Sequence, residues 1–279
     1  MKKLLLSVVA MASLAFASSA VTYMRVHTSD GQIIKYDVDL VEYVDFDSTS
    51  AADAEQVEGV TVSGKVGSYT YVDLGLPSGT LWATCNVGAS KPTEYGDYFA
   101  WGETSPKESY DWSTYKYMAE GKSSWEYITK YTTADGQTSG VWYDTDGNFI
   151  GDSLLTLLPE DDAATANWGE NWRMPTHSEQ LELIGGCDWE WTDDFNGSGV
   201  AGRIGTSLYN GNVVFLPAAG YRGSTDLGSA GYFGCYWSSS LYPYRSGSAY
   251  GLFFYDDDID WDYLDYRDYG RSVRAVVQN

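Results

Sequence analysis

Residues Tyr236–Ala275 read YWSSSLYPYRSGSAYGLFFYDDDIDWDYLDYRDYGRSVRA, and within them the period of the stretch 251–262 sets the fold. Leu252 and Phe254 alternate with Gly251, Phe253 and Tyr255. Beyond Asp256–Asp258, Ile259 and Trp261 alternate with Asp258, Asp260 and Asp262. Such a period of two sends successive side chains to opposite faces of a strand. The stretch therefore predicts two strands about an acidic turn, one face apolar and inward, the other polar and outward. The segment also has a restricted alphabet: eight Tyr, seven Asp and six Ser, with no Glu, Lys, Gln or Met, although the rest of the chain uses thirteen Glu. Tyr supplies large, stiff contact area at little entropic cost, and Ser, Gly and Asp supply short adaptable polar contacts, the chemistry of a binding surface. A Tyr-rich, solvated strand edge would share part of this composition.

Outward from the tail, the 279 residues are 43% hydrophobic and 16% aromatic with 30 Gly, enough for one good core and a small appendage, rich in turns and Trp/Tyr packing. Residues 1–20 (MKKLLLSVVAMASLAFASSA) have the basic pair, apolar run and small-residue end of a secretory signal. No Cys follows to carry a lipid, and no later run is long enough to predict a transmembrane segment. The expected location is secreted or cell surface. A net charge of −22 leaves nothing to neutralise phosphates, so nucleic acid is not an expected partner.

Residues 21–46 alternate about Ser29-Asp30-Gly31 and read as a small N-terminal β module. Residues 47–59 are polar and read as a linker. From residue 60 to 279 the texture is uniform, and one domain is expected there. Thr176-His177-Ser178-Glu179 has the form of a capping box, followed by Leu181, Leu183 and Ile184 and a Gly185-Gly186 stop, so a helix over 177–184 is predicted. A second short helix is expected within Asp161–Asn167. Ser78-Gly79-Thr80, Asp146-Gly147-Asn148 and Asn210-Gly211-Asn212 read as turns. Asp144-Thr145-Asp146-Gly147 has the start of a calcium loop but lacks its closing Glu, and no metal or cofactor is expected. The two His, His27 and His177, suit no nucleophile triad, and no enzyme is predicted.

Six blocks then carry a resemblance: Val72–Ala89 (VDLGLPSGTLWATCNVGA), Tyr95–Thr104 (YGDYFAWGET), Asp161–Thr176 (DDAATANWGENWRMPT), Phe215–Arg222 (FLPAAGYR), Gly234–Ser240 (GCYWSSS) and Gly270–Val276 (GRSVRAV). Together they resemble the Fibrobacter succinogenes major paralogous domain, a secreted domain abundant in gut Bacteroidetes. That family is similar to C-type-lectin-like and formylglycine-generating-enzyme-like folds. The resemblance implies an α+β domain, mostly antiparallel β with one or two helices. It also offers Cys85 and Cys187 as a disulfide pair, one of three pairings open to the three cysteines. The formylglycine-generating relatives use a cysteine pair near the C-terminal end, where this chain has only Cys235. The Glu-Pro-Asn and Gln-Pro-Asp loops of calcium-dependent lectins are missing.

The tail, in turn, resembles the variable segment of diversity-generating-retroelement proteins. There Asn codons are rewritten at adenines, and an AAC codon so changed never yields Glu, Lys, Gln, Met or Trp. Those residues are absent from Tyr236–Ala275 except Trp237 and Trp261, which fall to the framework. The resemblance implies a receptor or adhesin for a protein or glycan on a host or bacterial surface, with a variable segment at 242–269. The expected binding face is Tyr244, Ser246, Ser248, Phe253, Tyr255, Asp256, Asp257, Asp258, Asp260, Asp262, Tyr263, Asp265, Tyr266, Asp268 and Tyr269. A non-diversified carbohydrate-binding or structural surface module is the alternative. Arg271 and Arg274, with Val273 and Val276, read as a closing core strand whose arginines meet acids or carbonyls.

Overall fold

A computed structural model of the chain describes residues 23–27, 33–37 and 55–277; the leader read over residues 1–20 and most of the 47–59 linker lie outside these. Contacts divide the chain into two units, Met1–Ser48 and Thr49–Asn279. In the first, β1 (Tyr23–His27) and β2 (Ile33–Asp37) pair antiparallel with Tyr23 opposite Asp37. This is the hairpin that the alternation about Ser29-Asp30-Gly31 predicts.

The second unit is mostly antiparallel sheet with two helices among the described residues. It opens with β3 (Glu55–Val57), paired to β4 (Val60–Val62). The end of the polar 47–59 stretch is therefore strand, because Glu58 and Gly59 both take positive φ and close a two-residue hairpin. Next come β5 (Gly64–Val66), β6 (Tyr69–Asp73) and β7 (Leu81–Ala83). A long segment with little regular structure follows, from residue 84 to 162. Its aromatic side chains do what a sheet ladder would: Tyr98, Tyr110, Tyr115 and Tyr117 donate their hydroxyls to the carbonyls of Ala219, Tyr98, Trp101 and Gly102. Buried carbonyls are thereby satisfied without regular secondary structure.

Helix α1 (Ala163–Trp168) is capped by the Asp162 carboxylate on Thr165 N, overlapping the predicted 161–167 window and running one residue past it. After β8 (Trp172–Arg173), α2 (His177–Gly186) begins at the expected capping box and ends at the second of the paired glycines. Thr176 Oγ1 accepts from Glu179 N at 3.2 Å, and the Glu179 carboxylate accepts from Thr176 N at 2.7 Å. Burial pushes the Glu179 carboxyl up, but Arg173 grips both its oxygens, and with Thr176 holds it at about 2. Leu183 packs into the apolar core, and Gln180 Nε2 donates to Tyr236 O.

Then β9 (Cys187–Thr192), β10 (Gly202–Ser207) and β11 (Val213–Pro217) form one three-stranded sheet. The β10–β11 connection holds the predicted Asn210-Gly211-Asn212 turn. Strands β12 (Tyr221–Gly223) and β13 (Asp226–Gly228) make a short hairpin. A second three-stranded sheet runs β14 (Gly234–Leu241), β15 (Ser248–Phe254), β16 (Ile259–Tyr266). Last, β17 (Val276–Val277) inserts between β7 and β8, so the C-terminal strand closes the five-stranded sheet β5-β6-β7-β17-β8.

The expected disulfide is not formed. Cys85, Cys187 and Cys235 are all free and buried. Cys85 turns its thiol to Ala89 O, whereas Cys187 sits in the apolar core between α2 and β9. Burial raises all three thiols, Cys187 to about 12, which keeps them protonated and unreactive. Among the described residues no helix is long and apolar enough to cross a membrane. At the calcium-like turn, Asp144 Oδ1 accepts from Asp146 N and Asn148 N, so the carboxylate closes the turn.

The framework Trp237 is fully buried in the main aromatic core, and its Nε1 donates to Phe99 O at 2.9 Å. Trp237→Ala should cost on the order of 3–5 kcal/mol, whereas Tyr244→Ala, at a side chain 71% exposed, should stay within about 0.5 kcal/mol. Urea unfolding of both variants checks this. Comparable losses would mean that buried frame and exposed face are not energetically separate.

Candidate functional site

The outward face of the tail is narrower than its alternation predicts. In the sheet β14-β15-β16, β15 is the central strand, and Ser248, Ala249 and Gly251–Phe254 are all buried. A strand covered on both faces reads as a continuous apolar run, and the Leu252-Phe253-Phe254 triplet is one. Phe253, expected on the outward face, is 7% exposed. Phe233, Tyr255 and Tyr263 cover it, with ring centroids 4.9, 4.7 and 4.4 Å away. The register between β15 and β16 shifts between Gly251 and Phe253, where Gly251 faces Tyr263 and Phe253 faces Asp260. That bulge adds a residue to β16 and changes its phase, and Tyr263 stacks on Phe253 at 19°.

Four further expected contact residues are buried for identifiable reasons. Ser246 is inaccessible: its N and Oγ both donate to Asp135 Oδ2 at 2.8 Å, and Thr133 N donates to its Oγ. Ser248 opens β15, its N donating to Arg245 O. Asp265 is paired with Arg271 and accepts from Tyr263 Oη at 3.3 Å. Asp268 is 6% exposed. These, with Phe253, are corrections to the expected face. The side chains of Trp261 and Asp262 lie outside the described residues.

What stays exposed is the hairpin tip Tyr255-Asp256-Asp257-Asp258 with Asp260, and, elsewhere on the tail, Tyr244 and Tyr266. Tyr263 and Tyr269 are half-buried. The tip is pinned from beneath: Arg203, itself buried, donates Nε to Tyr255 O at 3.0 Å and Nη2 to Asp256 O at 3.2 Å. Tyr255 N closes the turn on Asp258 O.

From the tip, aromatic rings continue across the surface. Phe233 contacts both Phe253 and Tyr255, Tyr221 stacks on Phe233 at 5.9 Å, and Tyr269 meets Tyr221 edge-on at 5.8 Å. Tyr232, beside Phe233 in sequence, is 76% exposed. Under the far end of the row, the Arg271 guanidinium lies 4.7 Å from the Tyr221 ring centroid and 5.3 Å from that of Tyr269 while pairing with Asp265. A basic group thus orders two of the rings from the core side of the fold. The two arginines meet an acid or carbonyls as expected, Arg271 an acid and Arg274 Asn86 Oδ1, Ala83 O and Phe215 O, but the closing strand itself is only Val276–Val277, and Arg271, Val273 and Arg274 precede it.

Sequence reasoning missed Tyr221, Tyr232, Phe233 and Arg203. Tyr221 lies in the Phe215–Arg222 block, where a core reading was natural. Arg203 carried no signal, since its role depends on a strand distant in sequence. No family model, curated protein or solved structure matches the chain, so the resemblance carried by the six blocks stands on those residues alone. Among the described residues no cluster of three or more His, Cys, Asp or Glu is placed to hold a metal ion.

Asp268 has a distinctive charge state. Burial pushes its carboxyl up to about 6, against smaller opposing effects from its own backbone N–H and the Lys107 charge. The folded chain therefore holds a proton there over a range in which the unfolded chain does not. Stability falls as pH rises from about 4 to about 6, and the carboxylate carries its full burial cost above that range. Asp268→Asn should leave stability nearly unchanged at pH about 4 and raise it by roughly 1–3 kcal/mol at pH about 7. Urea melts at the two pH values measure this difference; an equal effect at both would show that the Asp268 carboxyl is not shifted.

Proposed function

We propose that the chain is an exported receptor or adhesin, on a C-type-lectin-like domain, that binds a protein or glycan on a host or bacterial surface through its C-terminal Tyr/Asp face. The observation that carries the proposal is the pairing of an exposed Tyr255–Asp258 tip and an aromatic row with a buried frame that fixes both. Binding energy concentrates in a few aromatic anchors ringed by adaptable polar groups. Tyr232 and Tyr255 offer the anchors, and the Asp residues of the tip offer the ring. The restricted alphabet of the tail supports diversification by a retroelement, with Tyr244, Tyr255, Asp256, Asp257 and Asp258 as the exposed positions free to change.

An undiversified carbohydrate-binding module is the second reading. The burial of Phe253 under Tyr263 favours it, since a fixed stacked pair suits a constant aromatic platform. The gene neighbourhood separates the two: a reverse transcriptase gene and a near-copy of the tail differing at adenines belong only to the first.

Replacing Tyr244 and Tyr255–Asp258 together with a different set of Tyr, Asp, Ser, Asn and Gly should change which ligand is captured from an array of surface proteins and glycans. Unfolding free energy should move by less than about 1 kcal/mol, because the exchanged side chains are exposed. With so many carboxylates at the tip, the association rate should fall as salt rises. Recovery of the same ligand, with the same affinity and salt dependence, by both versions would overturn the assignment of this face.

A further inference from the structure

Beside the aromatic row lies a cavity of about 360 Å³ whose walls include Tyr110, Asp111, Tyr221, Asp226, Asp268 and Tyr269. It is assembled from distant segments by backbone pairing. Arg222 and Gly270 exchange hydrogen bonds at 2.8 and 2.9 Å, which sets β12 beside the tail, and Tyr110 and Ser224 do the same at 2.8 Å. Glycine makes the close approach possible. A Cβ on Gly223 would stand 3.1 Å from the Tyr269 ring and 3.2 Å from that of Tyr221, and one on Gly270 would stand 2.6 Å from the Tyr110 ring. The walls are therefore fixed before any ligand arrives.

One wall is chemically incomplete. Asp268 is more than nine-tenths buried, yet its Oδ1 has no hydrogen-bond partner among the described residues, a costly state for a carboxylate. The basic group that acts on it, Lys107, already donates to Glu103 Oε1 and Thr114 O. Asp111 is occupied by Ser109, Ser113 and Thr114, which hold it ionised, so it adds negative potential. Asp226 adds more from the open side. Among the described residues the carboxylates are not clustered to hold a metal ion, and three of the remaining walls are tyrosines, Tyr110, Tyr221 and Tyr269. An anionic oxygen lacking a donor, flanked by aromatic rings, fits an organic cation.

We propose that this cavity binds a side-chain-sized organic cation, an alkylammonium or a guanidinium, at Asp268 and against the Tyr221 and Tyr269 rings. The proposal goes beyond the proposed receptor function and does not rest on it: it uses neither the Tyr255–Asp258 tip nor Tyr232 and Tyr244. Lysine and arginine side chains of a partner protein carry such a group, and so do free amines. The Asp268 carboxyl, held at about 6 by burial, makes binding weaken as pH falls through that value. Burial raises the Tyr110 and Tyr269 hydroxyls, and hydrogen bonds from Ser113 and Ser109 lower the Asp111 carboxyl, so the change over this range follows Asp268; Lys107, Tyr221 and Asp226 are the other titratable groups around it.

The test is calorimetric titration of the full chain with n-butylguanidinium, n-butylammonium and n-butylurea, the last a neutral isostere. The cations should bind saturably at pH about 7, with n-butylurea at least tenfold weaker and Asp268→Asn weakening the cations at least tenfold. Gly223→Ala, which crowds both rings, should weaken them in a chain that keeps its Asp268. The version exchanged at Tyr244 and Tyr255–Asp258 should bind the cations as the native chain does, which separates this site from the proposed receptor face. A capped Gly-Arg-Gly peptide that binds as tightly as n-butylguanidinium assigns the group to a partner's side chain; its exclusion assigns it to a free amine, and either supports the cation site. Equal binding of n-butylurea, unchanged affinity in Asp268→Asn, or no saturable binding of either cation would overturn it.

Discussion

Arg267 is inaccessible to solvent and forms no ion pair among the described residues, and much of the domain hangs on what it does instead. Its guanidinium donates to Tyr115 Oη, to the carbonyls of Tyr131 and Ser246, and to Lys130 O, all between 2.8 and 3.0 Å. Its Cζ lies 4.7 Å from the Trp101 ring centroid. A planar fork with five donors can meet several carbonyls at once, which a lysine cannot. The carbonyls it meets come from the long irregular segment and from the β14–β15 connection. Without it they would be buried and unpaired, each at a cost comparable to a lost hydrogen bond. One side chain of the tail thus holds irregular chain in place where no sheet does.

The same logic recurs along the tail. Arg271 orders Tyr221 and Tyr269 while pairing with Asp265, and Arg274 ties residues 83 and 86 to β11. Arg203 reaches the hairpin tip from β10. Arg203 binds backbone and Arg267 backbone and ring faces, whereas Arg271 and Arg274 also use the side chains of Asp265 and Asn86. Arg203 hydrogen-bonds the carbonyls of Tyr255 and Asp256, so replacing those two side chains leaves its hydrogen bonds available, although the Asp256–Asp258 carboxylates also act on its charge. In the proposed receptor, support through the main chain is what would let the exposed side chains be exchanged.

How far this was legible in the sequence follows the range of the interactions. The capping box at Thr176–Glu179, the short helix expected within Asp161–Asn167 and the Asn210-Gly211-Asn212 turn are local, and each formed at or within a residue or two of where its residues placed it, the helix as Ala163–Trp168. The period of two correctly marked β15 and β16 as strands but misjudged the exposure of β15. Which strand is central is a property of the sheet, and a central strand with Phe233 above it buries both faces. A bulge at residues 261–262 then shifted the phase of β16 in a way that alternation alone does not announce. Ser246 and Asp268 read as contact residues because they are small and polar. Their burial depends on Asp135 in one case and on β12 and Tyr110 in the other, neither visible in a local window. The thiols Cys85 and Cys187 were paired by resemblance, while the fold gives each its own surroundings.

An exposed aromatic row is also a hazard, because contiguous apolar surface promotes self-association. Here the row is bordered by carboxylates: Asp256, Asp257 and Asp258 at the tip, and Asp226 at the start of β13. On a chain of net charge −22, two copies brought face to face would set these acids against each other in the surroundings where repulsion is least screened. Tyrosine rather than phenylalanine at Tyr232 and Tyr255 keeps a hydroxyl in water at each anchor. The charge that looks, from composition alone, like generic solubility is therefore placed where it has a second effect. It penalises association with a second copy of this chain, and in the proposed receptor role it would favour a partner bringing positive charge or hydrogen-bond donors, with specificity set as much by what the acids repel as by what the tyrosines hold.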